Sequence, residues 1–172
     1  LILHLVGRLT AQGANYKVIE FHGDAIAAMP ISGRLVLTNM AVEAGATSGI
    51  VPADEETVRY LRDEARVTDP LDLVQPDIDA VYDRVIDVDV SVLEPQIACP
   101  HTVDHVKAVG AIAGTKVDQI VIGSCTNGRI DDIEMAARVL RGRKVARGVR
   151  MLVFPASWRI YREAMKRGYL AD

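Results

Sequence analysis

The sequence predicts an α/β fold built on mainly parallel sheets and divided into two partial domains. Three observations carry this expectation. Strand-like and helix-like segments alternate over residues 1–61 and again over 117–167, and between them lies a stretch with Pro70, Pro76, several aspartates and no sustained periodicity. With 172 residues, 49% of them hydrophobic and only 5% aromatic, the chain has enough apolar material for one or two ordinary aliphatic cores.

Residues 1–9 are apolar and helix-compatible, and Gly13 with Asn15 ends that run before a short apolar strand over 16–21. After Pro30, Ser32 is placed to cap a helix reaching about Ala44, with Leu35, Leu37, Met40 and Ala41 apolar and Gly45 as the stop. A brief strand is expected over 48–51. Asp54 stands at the N-cap of a helix through Leu61, with Glu55 and Glu56 in the first turn, where the helix dipole favours anions. Residues 1–66 are thus expected to form part of a first domain and 67–84 a linker or excursion.

The second partial domain is expected over 85–172. Val85-Ile86-Asp87-Val88-Asp89-Val90 alternates branched apolar with acidic residues, the period of a strand with one face in water. A strand over 117–122, a helix over about 131–141, a strand over 149–154 and a helix over about 157–167 then give a βαβα order. That order calls for parallel pairing with a right-handed crossover, and it puts ligand loops at the carboxyl ends of the strands.

A net charge of −3 supplies no overall positive field for nucleic acid or anionic lipid, so no nucleic-acid partner is expected. The basic run Arg138, Arg141, Arg143, Lys144, Arg147 and Arg150 reads as a solvated face at a helix end. No apolar run approaches the roughly 20 residues that cross a bilayer and no signal peptide opens the chain, so no membrane partner and a cytoplasmic location are expected. Cys99 and Cys125 form no disulfide framework and read as reduced thiols or metal ligands.

The chemistry-bearing loop is Gly123-Ser124-Cys125-Thr126-Asn127-Gly128-Arg129, set between an apolar strand and an amphipathic helix. Two glycines let the backbone approach a bound group closely, and free N–H groups at a helix start favour a thiolate. Such a cysteine can ligate iron or act as a nucleophile, or it can be a small side chain packed in a turn. Earlier in the chain, Asn39 and Glu43 stand four apart on the expected helix, so both can reach one pocket or share a solvated polar face.

The loop with its arginine resembles the first cluster-cysteine motif of the aconitase family. Thr38-Asn39-Met40-Ala41-Val42-Glu43-Ala44-Gly45-Ala46 followed by Val51-Pro52-Ala53-Asp54-Glu55 is similar to that family's Asn-Met-x-x-Glu-x-Gly-Ala helix and acidic turn. Glu20-Phe21-His22-Gly23, Gly142-Arg143-Lys144-Val145-Ala146 and Phe154-Pro155-Ala156-Ser157 extend the likeness over almost the whole chain. Its nearest form is the large subunit of the 3-isopropylmalate dehydratase or homoaconitase branch.

The resemblance implies a three-layer α/β/α aconitase-like fold and a 4Fe-4S cluster, with Cys125 as iron ligand and Ser124 and Asn127 beside the cofactor. It implies Asn39 near the cluster and Glu43 as the catalytic carboxylate that hydrogen-bonds the exchanged water or hydroxyl. The implied reaction isomerises a hydroxy di- or tricarboxylate by dehydration and rehydration. The implied partners are that small-molecule substrate and a small subunit or swivelling domain. Cys99-Pro100-His101-Thr102-Val103-Asp104-His105 is rich in metal-ligating types but lacks a second cluster to complete a tetrahedral site, and His4 and His22 read as structural. The rivals are a thiol enzyme with Cys125 as nucleophile on a Rossmann-like scaffold, and a non-catalytic regulatory module of aconitase descent.

The chain starts at Leu1 inside an expected helix and stops just after another, so it reads as cut from something longer and inactive by itself. The resemblance implies that the continuing reading frame carries the family's second and third cluster cysteines as a Cys-x-x-Cys pair within about a hundred residues of Asp172. Sequencing the flanking gene checks this, and a frame without the pair would sink the cluster reading.

Overall fold

The computed structural model describes residues 1–170. Residues 1–113 form one compact unit and the chain from Gly114 onward a second.

In the first unit, α1 (Ile2–Leu9) places Ile2, Leu5, Val6 and Leu9 on one face at helical spacing, and all four are buried. That face meets Ala14, Phe21, Ile26, Leu37, Ala41, Ala44 and Ala46 in a single apolar cluster. β1 (Val18–Glu20) and β2 (Ser48–Ile50) pair in parallel, with Val18 opposite Ser48 and Glu20 opposite Ile50. Parallel pairing needs a long crossover, here made of α2 (Asp24–Ala27), α3 (Ile31–Met40) and a 3₁₀ turn over Ala41–Ala44.

The single helix expected up to Ala44 is therefore two pieces. The α-helix stops at Met40 and the chain tightens over small residues before Gly45. Its cap also differs: the helix starts at Ile31 directly after Pro30, so Ser32 lies in the first turn. Proline is tolerated there because first-turn N–H groups have no acceptor within the helix.

The cap of α4 (Glu55–Asp63) is the expected Asp54, whose Oδ1 accepts the Thr57 N–H at 3.1 Å. The same carboxylate faces Arg34, whose side chain is only 4% exposed. Arg34 Nη1 donates to Asp54 Oδ1 at 2.7 Å and Nη2 to Oδ2 at 2.8 Å, a bidentate pair. Nε donates to the Met29 carbonyl and Nη2 to the Ala27 carbonyl, both at 2.9 Å. One buried guanidinium thus joins the end of α2, the body of α3 and the start of α4.

An antiparallel pair absent from the sequence expectation, β3 (Gln96–Ala98) with β4 (Val106–Ala108), packs against α1. Ile86 and Val103 also pack on the first core. The division between units therefore falls at Gly114 rather than within 67–84, whose prolines and aspartates mark irregular backbone and separate no cores.

The strand expected over 85–90 does not form. Arg8 Nη1 donates to the Asp87 carbonyl at 3.2 Å in place of a ladder. Asp89 Oδ1 accepts the Ser91 N–H at 2.9 Å and the Ser91 hydroxyl at 2.6 Å, turning the chain into a 3₁₀ turn over Val90–Val92. Local side-chain acceptors compete with strand pairing, and an alternating pattern provides no neighbouring strand by itself.

The second unit follows the predicted βαβα order: β5 (Gln119–Ile122), α5 (Ile130–Leu140), β6 (Arg150–Val153) and α6 (Trp158–Lys166). β5 and β6 run parallel, with Gln119 opposite Arg150 and Ile122 opposite Val153. Ser157 caps α6 by accepting the Ile160 N–H at 3.2 Å, and α5 packs on α6 with Ile133 and Ala164 buried. Across both units the class is α/β with mainly parallel pairing. No helix among the described residues is long and apolar enough to cross a membrane.

The Arg34 guanidinium holds the Asp54 carboxyl down to about 2 from 3.8, with the Thr57 N–H adding to the effect. A carboxyl depressed in the folded state stabilises above its unfolded pKa, so this contribution is full above pH 4 and is lost as pH falls from about 4 to 2. Because Asp54 is partly exposed, solvent screening limits that titrating contribution to about 1 kcal/mol. Asp54→Ala, which strands a buried guanidinium and removes a cap, is expected to cost about 2–4 kcal/mol, whereas Asp54→Asn keeps the cap and costs less. Urea unfolding at pH 7 and pH 3 checks both, and equal midpoints for the two variants would refute the pairing account.

Candidate functional site

β5 ends at Ile122 and α5 begins at Ile130, so residues 123–129 form the turn at the carboxyl end of a parallel pair. Gly123 and Gly128 both adopt left-handed backbone, at φ 103° and 95°. A Cβ on Gly123 would stand 2.0 Å from the Phe154 carbonyl oxygen, and one on Gly128 2.5 Å from the same atom. Glycine at both positions is what lets the loop lie directly on the end of β6. The contact is fastened by Phe154 N–H donating to the Ile122 carbonyl at 2.7 Å and Ala156 N–H donating to the Gly128 carbonyl at 2.8 Å.

Within the loop, Ser124 Oγ accepts the Thr126 N–H at 3.1 Å and the Asn127 N–H at 3.4 Å, while Ser124 N–H donates to the Asn127 carbonyl at 3.2 Å. From the first turn of α5, Asp132 closes the other side. Its Oδ1 accepts the Asn127 side-chain N–H at 3.0 Å, and its Oδ2 accepts the Gly128 and Arg129 backbone N–H groups at 2.9 and 3.0 Å. The outcome is an exposed Cys125 at the tip of a hydrogen-bonded loop, its Sγ 3.8 Å from Thr126 Oγ1. Arg129 follows with a buried Nε that has no acceptor.

Ser124 and Asn127 thus shape the loop as well as flanking the thiol. Asp132 was not among the expected site residues. Its signal was an aspartate three positions into a helix whose preceding residue lacks an acceptor side chain, the carboxylate half of a capping arrangement.

The two remaining expected residues lie in the first unit. Asn39 is exposed in the last turn of α3, and Glu43 is exposed in the 3₁₀ turn that follows. Four-residue stacking on one α-helix therefore does not extend through Glu43, since the tighter turn rotates each residue further.

The Cys99-to-His105 run forms the loop of the β3–β4 hairpin. Cys99 N–H donates to the His105 carbonyl at 2.8 Å, His105 Nδ1 lies 3.0 Å from the Pro100 carbonyl, and Asp104 Oδ2 accepts the Ala11 N–H at 2.9 Å just beyond α1. Bonds from Thr102 and Ala11 hold the Asp104 carboxyl below its ordinary range. Among the described residues no group of three or more His, Cys, Asp and Glu is placed to hold a metal ion. In the basic run, Arg138 pairs with Glu134 one turn back and Arg150 Nε donates to Gln119 Oε1 at 2.7 Å.

A cleft of about 1130 Å³ in the first unit is lined by the α1 face and by Glu20, His22 and Tyr82. His22 Nε2 is 2.9 Å from Glu20 Oε1 and 3.3 Å from the Tyr82 hydroxyl. Desolvation, with Glu20 alongside, pushes the Tyr82 hydroxyl up.

Known proteins place this architecture. The family model described as "Aconitase family (aconitate hydratase)" matches residues 1–114 and 107–172, meeting where the two units divide. A probable 3-isopropylmalate dehydratase large subunit from Methanothermobacter thermautotrophicus is 49% identical over 98% of this chain and 40% of its own length. The 3-isopropylmalate dehydratase large subunit of Nitratidesulfovibrio vulgaris is 47% identical over 99% of this chain and 40% of its own. A probable methanogen homoaconitase large subunit from Methanosarcina mazei is 48% identical over 98% of this chain and 42% of its own. The chain thus spans about 40% of the length of the relatives it matches. A cysteine loop at the end of a parallel strand, a motif-bearing helix before it and a family match over both units together establish that the chain belongs to the aconitase family.

Proposed function

We propose that this chain is part of the large subunit of an iron-sulfur hydro-lyase. The reaction moves a hydroxyl between adjacent carbons of a hydroxy di- or tricarboxylate, with 3-isopropylmalate the first candidate and homoaconitate the next. The observation that carries the reading is the exposed Cys125 thiol, presented at the carboxyl end of β5 by a loop in which the N–H groups of Thr126, Asn127, Gly128 and Arg129 are taken by Ser124 and Asp132. A solvent-facing sulfur on a fixed loop suits a ligand of a bound group, whereas a packing cysteine would be buried.

The residues present fit one corner of a 4Fe-4S site. Cys125 would supply a thiolate, with Ser124 and Asn127 fixing the loop around it. The resemblance assigns the second and third thiolates to a Cys-x-x-Cys pair downstream of Cys125, which residues 126–172 do not contain. When bound, such a cluster supplies a Lewis-acidic iron that polarises the substrate hydroxyl.

The chain's own side chains then have distinct tasks. Glu43 offers an exposed carboxylate that would hydrogen-bond the water or hydroxyl exchanged in dehydration and rehydration. Asn39 offers an amide that can donate to a substrate oxygen and accept from a hydroxyl. Proton abstraction from the neighbouring carbon and recognition of the substrate carboxylates fall to groups outside this chain, in a small subunit or swivelling domain. A cytoplasmic location accords with this biosynthetic role.

Two expected results test the reading. In the complete large subunit, reconstituted anaerobically with iron and sulfide, Cys125→Ser should abolish the cluster absorbance while Cys99→Ser retains it; retention by the Cys125 variant would exclude it as a ligand. Glu43→Gln should keep the cluster and lower kcat by roughly 10²–10⁴-fold in an assay on each candidate acid, as expected when a proton-handling carboxylate is removed. An unchanged kcat would remove Glu43 from the chemistry.

A further inference from the structure

The loop that carries Cys125 is bonded to a residue that the ligand motif does not include. Asp132 is half-buried in the first turn of α5, and both of its oxygens are directed back into the loop. Oδ1 takes the Asn127 amide at 3.0 Å, and Oδ2 takes two successive backbone N–H groups, Gly128 at 2.9 Å and Arg129 at 3.0 Å. An ordinary helix cap satisfies N–H groups of the helix itself. Here all three donors, on Asn127, Gly128 and Arg129, precede Ile130, the first residue of α5; the Arg129 bond is the usual one to the N-cap, and the other two brace the loop ahead of it.

We propose that Asp132 is a positioning residue for the ligand loop: it sets the conformation in which Cys125 holds its metal group, and so governs how long that group is retained. This rests on the cluster reading above. The physical case is that Asn127 sits two residues from Cys125 and is fastened on both sides. Its backbone is held through Ser124 and its side chain through Asp132. Without the carboxylate, the Ser124 bonds and the Phe154 contact still fix one flank, while the segment between Cys125 and α5 loses its three acceptor bonds. Hydrogen bonds to a charged carboxylate are worth more than neutral ones, and outer groups that orient a metal ligand commonly change metal retention by 10–100-fold.

The geometry also defines a rescue. In Asp132→Asn the new amide oxygen can still take the two backbone N–H groups, but its NH₂ faces the Asn127 NH₂, donor against donor. The reciprocal exchange N127D/D132N restores that bond with its polarity reversed. Asp131→Asn removes a carboxylate from the same helix turn, and with it the same favourable dipole interaction, while leaving all three Asp132 bonds intact.

The experiment follows chelator-driven loss of cluster absorbance in the anaerobically reconstituted complete large subunit, together with amide hydrogen exchange at Gly128 and Arg129 and a urea midpoint for each variant. Asp132→Asn is expected to shorten cluster half-life about tenfold, N127D/D132N to return it to within about threefold of wild type, and Asp131→Asn to leave it unchanged at a similar urea midpoint. Exchange at Gly128 and Arg129 should quicken in Asp132→Ala. Wild-type retention in Asp132→Asn, equal loss in Asp131→Asn, or no recovery in the exchange variant would each overturn the inference while leaving the cluster reading intact. A wild-type subunit that takes up no cluster would overturn the proposed function itself, and with it the retention role.

Discussion

A guanidinium that leaves water must have its donors matched in the interior, and the first unit is organised around meeting that demand for Arg34. Two backbone carbonyls and both oxygens of Asp54 surround it. The carbonyls belong to Ala27 and Met29, so the short chain between α2 and α3 cannot swing away without leaving buried donors unpaired. Asp54 must stay at the head of α4 for the same reason, and that helix is thereby fixed although it buries no residue of its own in the core. The helix that carries Asn39 in its last turn and leads into Glu43 is consequently held near its start by ion pairing through Arg34 and farther along by the apolar cluster containing Leu37 and Ala41.

A second aspartate solves a similar problem in the other unit with different consequences. Asp54 and Asp132 both sit at helix starts, where orphan N–H groups invite an anion. Asp54 spends its remaining capacity on a buried cation, which serves stability. Asp132 spends its capacity on the turn that carries the thiol. The contrast between Cys125 and Cys99 follows the same logic. The residues around Cys99 are as rich in ligating types, yet His105 and Asp104 are occupied by bonds that shape and anchor a hairpin. Beyond Cys125 the N–H groups of Thr126 to Arg129 are taken by Ser124 and Asp132, and the sulfur is left facing solvent.

What was legible in the sequence was local. The apolar spacing of α1, the Asp54 cap, and the βαβα order from β5 to α6 are all decided within a few residues, and each appears where residue types put it. The cysteine loop could be read because glycines, a small polar motif and a strand-helix junction occur together. What was not legible depends on partners distant in the chain. Arg34 gives no sign in the sequence of being buried, because its burial depends on Asp54 twenty positions on. The alternation of 85–90 satisfies the period of a strand, but a ladder also requires a neighbour, and Arg8 and Ser91 claim that stretch first. The β3–β4 hairpin went unread because the Cys99-to-His105 loop that joins its strands carries no glycine or asparagine to mark a hairpin turn. Glu43 looked helical because propensity does not distinguish an α turn from the 3₁₀ turn into which small residues let the chain tighten.

The seat of Gly123 and Gly128 on the Phe154 carbonyl has a consequence for the order of events in maturation. The two glycines flank Cys125 in sequence, but the surface they rest on belongs to Phe154, the residue after β6, beyond the whole of α5. The loop therefore has no template until that later strand has been made and has paired with β5. In small metal modules the ion draws an unfolded chain together, and binding and folding are one event. Here the loop around Cys125 takes its shape from contacts within the polypeptide, so under the proposed reading a cluster would meet a surface already formed.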